Sequence, residues 1–260
     1  MELSSSIAAV VTGGASGLGE AVARALAGQG VRVAVLDRDR TRGEMVADEI
    51  GGMFCSADVA SADEVERAFA QARKVHGQER VLVNCAGVVT SAKTVGRRKD
   101  TGEIGMFPIE MFERTIAINL VGTFRCVVAA AAGMASLERL EDGERGVIIN
   151  TSSIAAEEGQ IGQAAYSASK AGVLGLMLPV ARDLAAEGIR INTILPGIVQ
   201  TPMLASLPDQ VQQSLAASVP FPNRLGRPGE YASLVLEICR NAYLNASAIR
   251  LDGAIRLPPR

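Results

Sequence analysis

A serine, a tyrosine and a lysine in the second half of the chain have the side-chain types and spacing for proton transfer. Ser153 precedes Tyr166 by thirteen residues, and Lys170 follows Tyr166 by four. If residues 163–187 form a helix, the tyrosine and the lysine lie one turn apart on the same face. An ammonium group there favours ionisation of the phenol, which otherwise occurs near pH ~10, and a shift toward neutral requires roughly 4 kcal/mol. The trio predicts an acid/base at Tyr166 and a hydroxyl at Ser153 that holds a substrate oxygen.

The same spacing of tyrosine and lysine is common on helix surfaces, where the ring packs and the lysine is solvated. The chain has three tyrosines, and neither Tyr231 nor Tyr243 has a lysine four residues later. The choice between a packing pair and a catalytic pair therefore depends on the first half of the chain.

The first half begins with a strand-like run that leads into a glycine turn. Residues 7–19 read IAAVVTGGASGLG, and the helix-like stretch EAVARALAGQG follows. This order presents backbone N–H groups and a helix N-terminus to a pyrophosphate. Glycines are required where a Cβ would obstruct the phosphates or the helix. The spacing is T-G-x-x-x-G-x-G rather than G-x-G-x-x-G, and a tight turn without a ligand is the alternative.

A second apolar run, at residues 31–36, ends at Asp37. A carboxylate at the tip of the second strand accepts hydrogen bonds from a ribose 2′-hydroxyl and repels a 2′-phosphate, so it favours NAD over NADP. Arg38 and Arg40 leave the alternative open, because an arginine at this place is either solvated or paired with a phosphate.

Apolar runs and amphipathic stretches alternate along the whole chain. The runs lie near residues 7, 31, 52, 80, 146, 189 and 248, and the amphipathic stretches near 17, 41, 61, 108, 163 and 227. This alternation predicts an α/β fold, with one Rossmann-type doubly wound parallel sheet of about seven strands and helices on both faces. No linker divides residues 1–260, so we expect a single domain. Pro179 should kink the helix after Tyr166 or leave one carbonyl unpaired.

Several short motifs, in a fixed order, resemble the short-chain dehydrogenase/reductase family over nearly the whole chain. They are Thr12-Gly-x-x-x-Gly-x-Gly19, Asp58, NCAG at 84–87, Asn119, Ser153, Tyr166-x-x-x-Lys170 and Pro196-Gly197. Longer stretches, such as GVIINTSSIAAEEGQIGQAAYSASKAG and IRLDGAIR, resemble the branch of that family that acts on 3-hydroxyacyl-CoA. The resemblance implies a dehydrogenase with a dinucleotide cofactor.

The resemblance also implies a role for each matching position. The implied catalytic residues are Asn119, Ser153, Tyr166 and Lys170, where Asn119 relays protons through water to Lys170. The implied cofactor-binding residues are Gly13, Ser16, Gly17, Leu18, Gly19, Asp37, Asp58, Val59, Cys85, Ala86, Gly87, Tyr166, Lys170, Pro196, Gly197, Val199 and Thr201. The implied substrate contacts are Ser153, Gln163 and Tyr166. Two positions have simpler alternatives: Asn119 as an asparagine that satisfies backbone groups within its helix, and Gln163 as a surface polar side chain.

Two segments exceed a minimal βα plan and are predicted to shape the substrate pocket. Residues 91–107 form a long polar insert, and residues 200–222 combine prolines with apolar side chains at helical spacing. Ligands sit at such loops beyond the carboxyl ends of parallel strands. The apolar side chains of the second segment (Met203, Leu204, Leu207, Val211 and Leu215) are predicted to close over an acyl chain, with ordinary packing as the alternative. The basic cluster at 97–99 is predicted to be a solvated loop.

Charge and apolar-segment length exclude other classes of partner. The net charge of −2 gives no broad basic surface for nucleic acid. The longest apolar stretches, such as VVAAAAGMA, are expected to be too short and too rich in alanine to span a bilayer, and no signal or transit segment is visible. We therefore expect a cytoplasmic protein with no membrane partner.

Cysteine and histidine usage argues against a metal site, disulfides and hydrolysis. The four cysteines, at 55, 85, 126 and 239, form no C-x-x-C pair, so no metal is predicted. His76 is the only histidine and precedes Gly77 at the end of a helical pattern, where a helix C-terminus is the expected role. A Ser-His-Asp hydrolase would depend on this one residue.

Together these observations give one hypothesis for function and two rivals. The hypothesis is NAD-dependent, reversible oxidation of a secondary alcohol to a ketone, with the 3-hydroxyl of a short or branched 3-hydroxyacyl-CoA as substrate. One rival is a reductase of steroids, other carbonyls or 3-oxoacyl-carrier protein. The other is a scaffold subunit in RNA processing, a role that animal relatives also have. The family implies a homotetramer, with helices at 108–136 and 163–187 as contact faces.

Overall fold

Seven parallel strands form one sheet in a computed structural model that describes residues 1–97, 100–205 and 208–259, apart from the side chain of Met203. The strands are β1 (Ala8–Thr12), β2 (Arg32–Asp37), β3 (Met53–Ser56), β4 (Val81–Asn84), β5 (Val95–Arg97), β6 (Ile104–Met106), β7 (Gly146–Thr151), β8 (Ile189–Pro196) and β9 (Ala248–Leu251). The large sheet has the order β3-β2-β1-β4-β7-β8-β9, and β5 and β6 form a separate antiparallel hairpin. The predicted sheet and its seven strands are confirmed.

Helices cover both faces of the sheet. They are α1 (Gly17–Gly28), α2 (Arg40–Glu49), α3 (Ala62–His76), α4 (Ile109–Ile116), α5 (Thr123–Met134), α6 (Ala164–Gly175), α7 (Met177–Asp183), α8 (Pro202–Ala205), α9 (Asp209–Ala217) and α10 (Pro228–Arg240). Each predicted amphipathic stretch forms a helix, and His76 is the last residue of α3, as expected.

The central strands are buried on both faces, which explains why they are near-continuous apolar runs. In β1, Val10 packs on one side with α3 and α5, whereas Ala9 and Val11 pack on the other side with α1 and α10. Side chains alternate across a strand, so each strand contributes to both layers of a single domain. This arrangement fixes the carboxyl ends of β1, β2, β4, β7 and β8 along one edge.

Two helices are interrupted where the sequence pattern predicts continuity or a kink. The predicted helix after Tyr166 divides at Leu176, between α6 and α7, and Pro179 lies in the first turn of α7. Because Pro179 has no N–H, the carbonyl four residues earlier has no helical partner, so the division agrees with the prediction. The predicted helix at 108–136 instead contains a π-helical segment, Ala117–Gly122, which nothing in the sequence pattern indicated.

The π-helical segment is closely packed. A Cβ on Gly122 would lie 2.8 Å from Val59 Cγ2, so the segment lies directly against the turn after β3. The whole helical segment Ile109–Met134 is long and apolar enough to cross a membrane, and it is longer than the stretch VVAAAAGMA considered above. Inner helices of water-soluble folds meet the same criterion, and this one packs on α6, β4 and β7.

Candidate active site

The carboxyl ends of the strands open into a cavity of about 740 Å³. All the predicted site residues except Asn119 line it: Gly13, Ser16, Gly17, Leu18, Gly19, Asp37, Asp58, Val59, Cys85, Ala86, Gly87, Ser153, Gln163, Tyr166, Lys170, Pro196, Gly197, Val199 and Thr201. Residues scattered from 13 to 201 therefore meet at one edge of the sheet, where doubly wound folds bind ligands.

The glycine turn after β1 forms a cradle that larger residues would fill. Gly13 has a φ of +66°, and a Cβ there would lie 2.6 Å from the Ala86 backbone nitrogen. A Cβ on Gly19 would lie 2.2 Å from the Gly13 carbonyl oxygen, so α1 approaches the turn closely. Ser16 begins α1 without a side-chain cap, which leaves the first N–H groups of the helix without that partner. The cradle and the helix N-terminus suit a pyrophosphate.

Asp37 stands fixed at the tip of β2. One of its carboxylate oxygens accepts a hydrogen bond from the Ala15 N–H (3.1 Å), and the other accepts one from the Asp39 N–H (3.0 Å). These bonds tie the carboxylate to the glycine turn, and each oxygen keeps lone-pair capacity for a ribose hydroxyl.

The two arginines beyond β2 are each paired with a carboxylate. Arg38 Nη1 lies 3.3 Å from Asp58 Oδ2, at the end of the cavity that contains Asp37. Arg40 Nη1 lies 2.9 Å from Glu44 Oε1, and its guanidinium lies 5.9 Å from the centre of the Phe54 ring. In this structure both positive charges are directed to acidic partners.

Ser153 is held so that its hydroxyl proton is available. The residue is buried and begins a short 3-10 turn, Ile154–Ala156. Its Oγ accepts a hydrogen bond from the Ala155 N–H (3.1 Å), so one lone pair is engaged and the O–H is left to donate elsewhere. This hydroxyl lies near the Tyr166 phenol and opposes the rise in its pKa that burial causes. The serine and tyrosine oxygens are thus both placed to meet one substrate oxygen.

Tyr166 and Lys170 lie on one face of α6, as their spacing predicts. Lys170 Nζ is 5.9 Å from the centre of the Tyr166 ring and donates a hydrogen bond to the Thr151 carbonyl (2.9 Å). Burial lowers the pKa of Lys170 to about 8, although the neighbouring Cys85 opposes the shift. Burial raises the pKa of Tyr166, and the neighbouring Ser153 hydroxyl opposes this rise. The side chains alone therefore do not lower the tyrosine pKa, and the predicted shift toward neutral, to which a cationic nicotinamide is also expected to contribute, stays a prediction.

Asn119 lies behind the cavity rather than on its wall. Its side chain is fully buried in the π-helical segment, where Oδ1 accepts from the Val88 N–H (2.8 Å). The amide nitrogen donates to the Val88 carbonyl (2.9 Å) and to Ser169 Oγ (3.0 Å). The alternative interpretation, an asparagine that satisfies backbone groups, thus describes this side chain, except that the backbone belongs to the segment after β4.

The main-chain carbonyl of Asn119 is engaged as well. It accepts a hydrogen bond from the Thr123 hydroxyl (2.8 Å). Asn119 and Lys170 meet across Gly87: a Cβ there would lie 3.2 Å from Asn119 Oδ1 and 3.5 Å from Lys170 Nζ. The relay itself remains a prediction.

Gln163 is anchored as well as exposed to the cavity. It precedes α6, and its Oε1 accepts a hydrogen bond from the Gln160 N–H (3.1 Å). A freely solvated surface side chain is therefore not what the structure shows. Its contact with a substrate remains a prediction.

The two predicted pocket segments differ in what they contribute. From residues 200–222, Thr201, Pro202, Leu204 and Leu215 line the cavity, Val211 is exposed, and the Met203 side chain and Leu207 lie outside the described residues. None of the described residues of 91–107 lines it. That insert contains the β5–β6 hairpin with Arg97 in β5, which corrects the predicted solvated loop, while Arg98 and Lys99 are not described.

Gln160 and Leu257 also line the cavity, although no sequence motif indicated them. Both are common residue types that carry no recognisable chemistry, and the contact between the Gln160 loop and the C-terminal segment brings them together.

The sequence profile described as short chain dehydrogenase matches residues 7–212. The chain belongs to the short-chain dehydrogenases. It is 49% identical over 255 residues to 3-hydroxyacyl-CoA dehydrogenase type-2 of Bos taurus, covering 97% of this chain and 96% of the relative. It is 50% identical to the protein of the same name from Drosophila melanogaster, covering 96% and 97%. A crystal structure of 3-hydroxyacyl-CoA dehydrogenase type-2 from Mycobacterium avium matches with a TM-score of 0.92 and 41% identity, covering 98% of each chain.

As a short-chain dehydrogenase, the protein is an oxidoreductase, and dehydrogenases of this family generally use a nicotinamide cofactor. The glycine cradle and the fixed Asp37 fit such a group at one end of the cavity. Ser153, Tyr166 and Lys170 lie at its other end. Within the described ranges, no group of three or more His, Cys, Asp or Glu side chains is placed to hold a metal.

Proposed function

We propose that the protein oxidises the 3-hydroxyl of a short or branched 3-hydroxyacyl-CoA to a ketone, reversibly and with NAD. The observation that carries the proposal is the group formed by Tyr166 and the buried Ser153 and Lys170, at one end of a cavity whose other end is the glycine cradle. The substrate class is supported by relatives named 3-hydroxyacyl-CoA dehydrogenase type-2 that align over almost the full chain. A cytoplasmic location stays a prediction.

The preference for NAD over NADP is supported by the charges around the adenosine end. Asp37 is held by two backbone N–H groups, so it would meet a 2′-phosphate as a fixed negative charge. Arg38 and Arg40 are paired with Asp58 and Glu44. A 2′-phosphate would have to break these pairs to gain a positive partner.

The chemical step follows from the positions of three side chains. When bound, NAD would supply the hydride acceptor and a positively charged ring. The phenolate oxygen of Tyr166 takes the hydroxyl proton of the substrate as the alcohol carbon loses hydride. The Ser153 hydroxyl donates to the same substrate oxygen. The Lys170 ammonium, held by the Thr151 carbonyl, favours the charged phenolate, and Asn119 would relay protons to it through water.

The reverse reaction tests the proposal directly: the protein should reduce acetoacetyl-CoA, and the absorbance of NADH should fall as it does so. A parallel panel of steroid ketones and of 3-oxoacyl-carrier protein, with NADH and NADPH, separates the rival enzymes. Turnover confined to one of those rivals, with none for acyl-CoA, would replace the proposed substrate. RNA retained at moderate salt, with no enzyme turnover, would instead favour the scaffold role.

Changing Asp37 to asparagine is expected to reduce the preference for NAD over NADP about 100-fold. The amide keeps an acceptor oxygen in place and removes the charge that repels a 2′-phosphate. The ratio of kcat/KM values for the two cofactors measures the effect. Asp39→Asn is the matched control, because Asp39 caps α2 with a bond to the Arg42 N–H and does not line the cavity. An unchanged ratio in Asp37→Asn would refute the assignment.

We also propose that the protein forms a homotetramer through its long helices. Val121, Phe124 and Val128 form an apolar stripe at helical spacing and are 40%, 45% and 51% exposed. Leu178, on α7, is 45% exposed as well. Exposed apolar stripes of this kind mark protein interfaces.

Phe124→Glu is expected to weaken this assembly about 30-fold or more, because a buried aromatic anchor contributes at least ~2 kcal/mol to an interface. Sedimentation velocity over a dilution series measures the change. Met45→Glu, a substitution at an exposed position on α2, serves as the control and should leave the assembly intact. A wild-type protein that sediments as a monomer would contradict the proposal.

A further inference from the structure

The C-terminal segment after β9 lies against the loop that joins Ser153 to α6. The Leu257 N–H donates to Glu158 Oε2 (2.9 Å), Gln160 Nε2 donates to the Pro258 carbonyl (3.0 Å), and the Ile161 N–H donates to the Pro259 carbonyl (3.0 Å). Consecutive residues of one segment thus bond to neighbouring residues of the other. The two segments are therefore joined by three hydrogen bonds.

A cluster of charges fastens the same two segments. Arg250 contacts Glu157, Glu158 (3.0 Å) and Asp252 (2.8 Å). Arg256 contacts Glu158 (3.1 Å) and Asp252 (3.2 Å). The side chains of Glu158 and Asp252 are only 19% and 8% exposed, so these pairs are better shielded than single surface salt bridges. Partial burial opposes ionisation of Glu158, yet the Leu257 N–H and Arg250 keep its pKa below the usual range.

The other side of the C-terminal segment is anchored by apolar packing. Ile255 is 2% exposed and packs with Ile154, Leu195 and Val219 in a small separate core. Gly253 has a φ of +60°, and a Cβ there would lie 2.5 Å from Val219 Cγ1. The segment is therefore clamped between the turn that begins at Ser153 and the chain that follows α9.

Between these two anchors, Leu257 reaches the cavity. It lines the same volume as Gln160, Gln163, Leu204 and Leu215, together with the catalytic tyrosine. The glycine cradle, Asp37 and Asp58 line the same cavity where strands β1, β2 and β3 end. Leu257 thus belongs to the substrate end, where an apolar side chain on a fixed backbone limits the size of what fits.

We infer that the clamped C-terminal segment is a rigid wall of the substrate pocket, with Leu257 as the residue that determines acyl size and Glu158 as its positioning residue. The inference rests on the proposed function, because it assigns the group that Leu257 faces as the acyl chain of the substrate. Leu257 acts by contact. Glu158 acts through Leu257, whose backbone it holds.

A smaller and a larger side chain at position 257 test whether Leu257 limits the size of the acyl chain. We expect Leu257→Ala to raise the ratio of kcat/KM for 3-oxooctanoyl-CoA to that for acetoacetyl-CoA about tenfold, and Leu257→Phe to lower it by a similar factor. Leu244→Ala is the matched control, because Leu244 is also partly buried but does not line the cavity. The fluorescence of protein-bound NADH confirms that each variant retains the cofactor end. Equal ratios in wild type and both Leu257 variants would overturn the inference.

A second pair of variants tests the positioning role. Glu158→Ala removes both the ion pairs and the acceptor for the Leu257 N–H, and is expected to raise KM about fivefold with little change in kcat. Glu158→Gln keeps an acceptor oxygen and should restore part of the loss. A fall in kcat with unchanged KM would contradict positioning. Should the wild type reject every acyl-CoA, the proposed function fails by itself, and the Leu257 variants then test the wall with a short and a long secondary alcohol.

Discussion

Replacing Tyr166 with phenylalanine is expected to lower kcat about 10³-fold while changing the affinity for NADH far less. The substitution removes one oxygen, which is the atom that takes the substrate proton, and proton transfer by a positioned side chain contributes about 10²- to 10⁴-fold. The ring itself stays, so the packing of α6 is preserved. Initial rates with acetoacetyl-CoA and a fluorescence titration with NADH measure the two quantities separately.

Tyr243→Phe is the matched control for this prediction. Tyr243 is 99% exposed and does not line the cavity, so the same chemical change there should leave kcat unaltered. If Tyr166→Phe kept kcat within tenfold of the wild type, Tyr166 would not be the acid/base.

Replacing Lys170 with methionine is expected to lower kcat/KM for alcohol oxidation about 100-fold at neutral pH. Burial raises the pKa of Tyr166, so the phenolate depends on positive charge beside it. Without the ammonium, the rise of kcat/KM with pH should move to higher pH by at least about one unit. The pH profiles of wild type and variant, compared over the same buffers, show this displacement.

The same substitution should increase stability at neutral pH. Burial lowers the pKa of Lys170 from 10.5 to about 8. Below pH 8 both folded and unfolded chains carry the charge, and the folded state bears the full desolvation penalty, on the order of 3 kcal/mol. Methionine removes this penalty but leaves the Thr151 carbonyl without its donor, so we expect a net gain of about 1 to 2 kcal/mol in the free energy of unfolding.

The change of the free energy of unfolding with pH follows from the number of protons that the folded and unfolded chains bind. Between pH 8 and 10.5 the unfolded chain still binds the Lys170 proton and the folded chain does not, so wild-type stability rises with pH in that window. The stability advantage of Lys170→Met over wild type should therefore be larger at pH 7 than at pH 10. Urea unfolding at both pH values measures it, with Lys74→Met, at an exposed position of α3, as the control that should show neither effect. An advantage that grew with pH would contradict the assigned shift.

Most of the sheet could be predicted from sequence because its signal is local. Strands buried on both faces need apolar runs, and the glycine turn needs residues without a Cβ, as Gly13 and Gly19 show. The π-helical segment Ala117–Gly122 and the β5–β6 hairpin were not predicted. In this segment Gly122 packs against Val59, which is distant in sequence. A contact of this kind leaves no periodic pattern within the helix sequence.

The difference between local signals and tertiary contacts also explains which site residues could be predicted from the sequence. Ser153, Tyr166 and Lys170 carry recognisable chemistry at a local spacing, and the structure brings them together as predicted. Leu257 carries none, and its place depends on ion pairs between residues as distant as Arg250 and Glu157. The partners of Arg38 and of the Asn119 side chain were likewise set by tertiary contacts.

The π-helical segment links the surface of the protein to its catalytic lysine. Asn119, which meets Lys170 across Gly87, and the exposed Phe124 stand on one continuous helix, and the extra residue in the wide turn sets the angle between them. Each residue added to or removed from an α-helix rotates the remainder of the helix by about 100°. Removing one residue here would therefore rotate Phe124 relative to Asn119, so the proposed subunit interface and the proposed proton relay would both constrain the length of the same six residues.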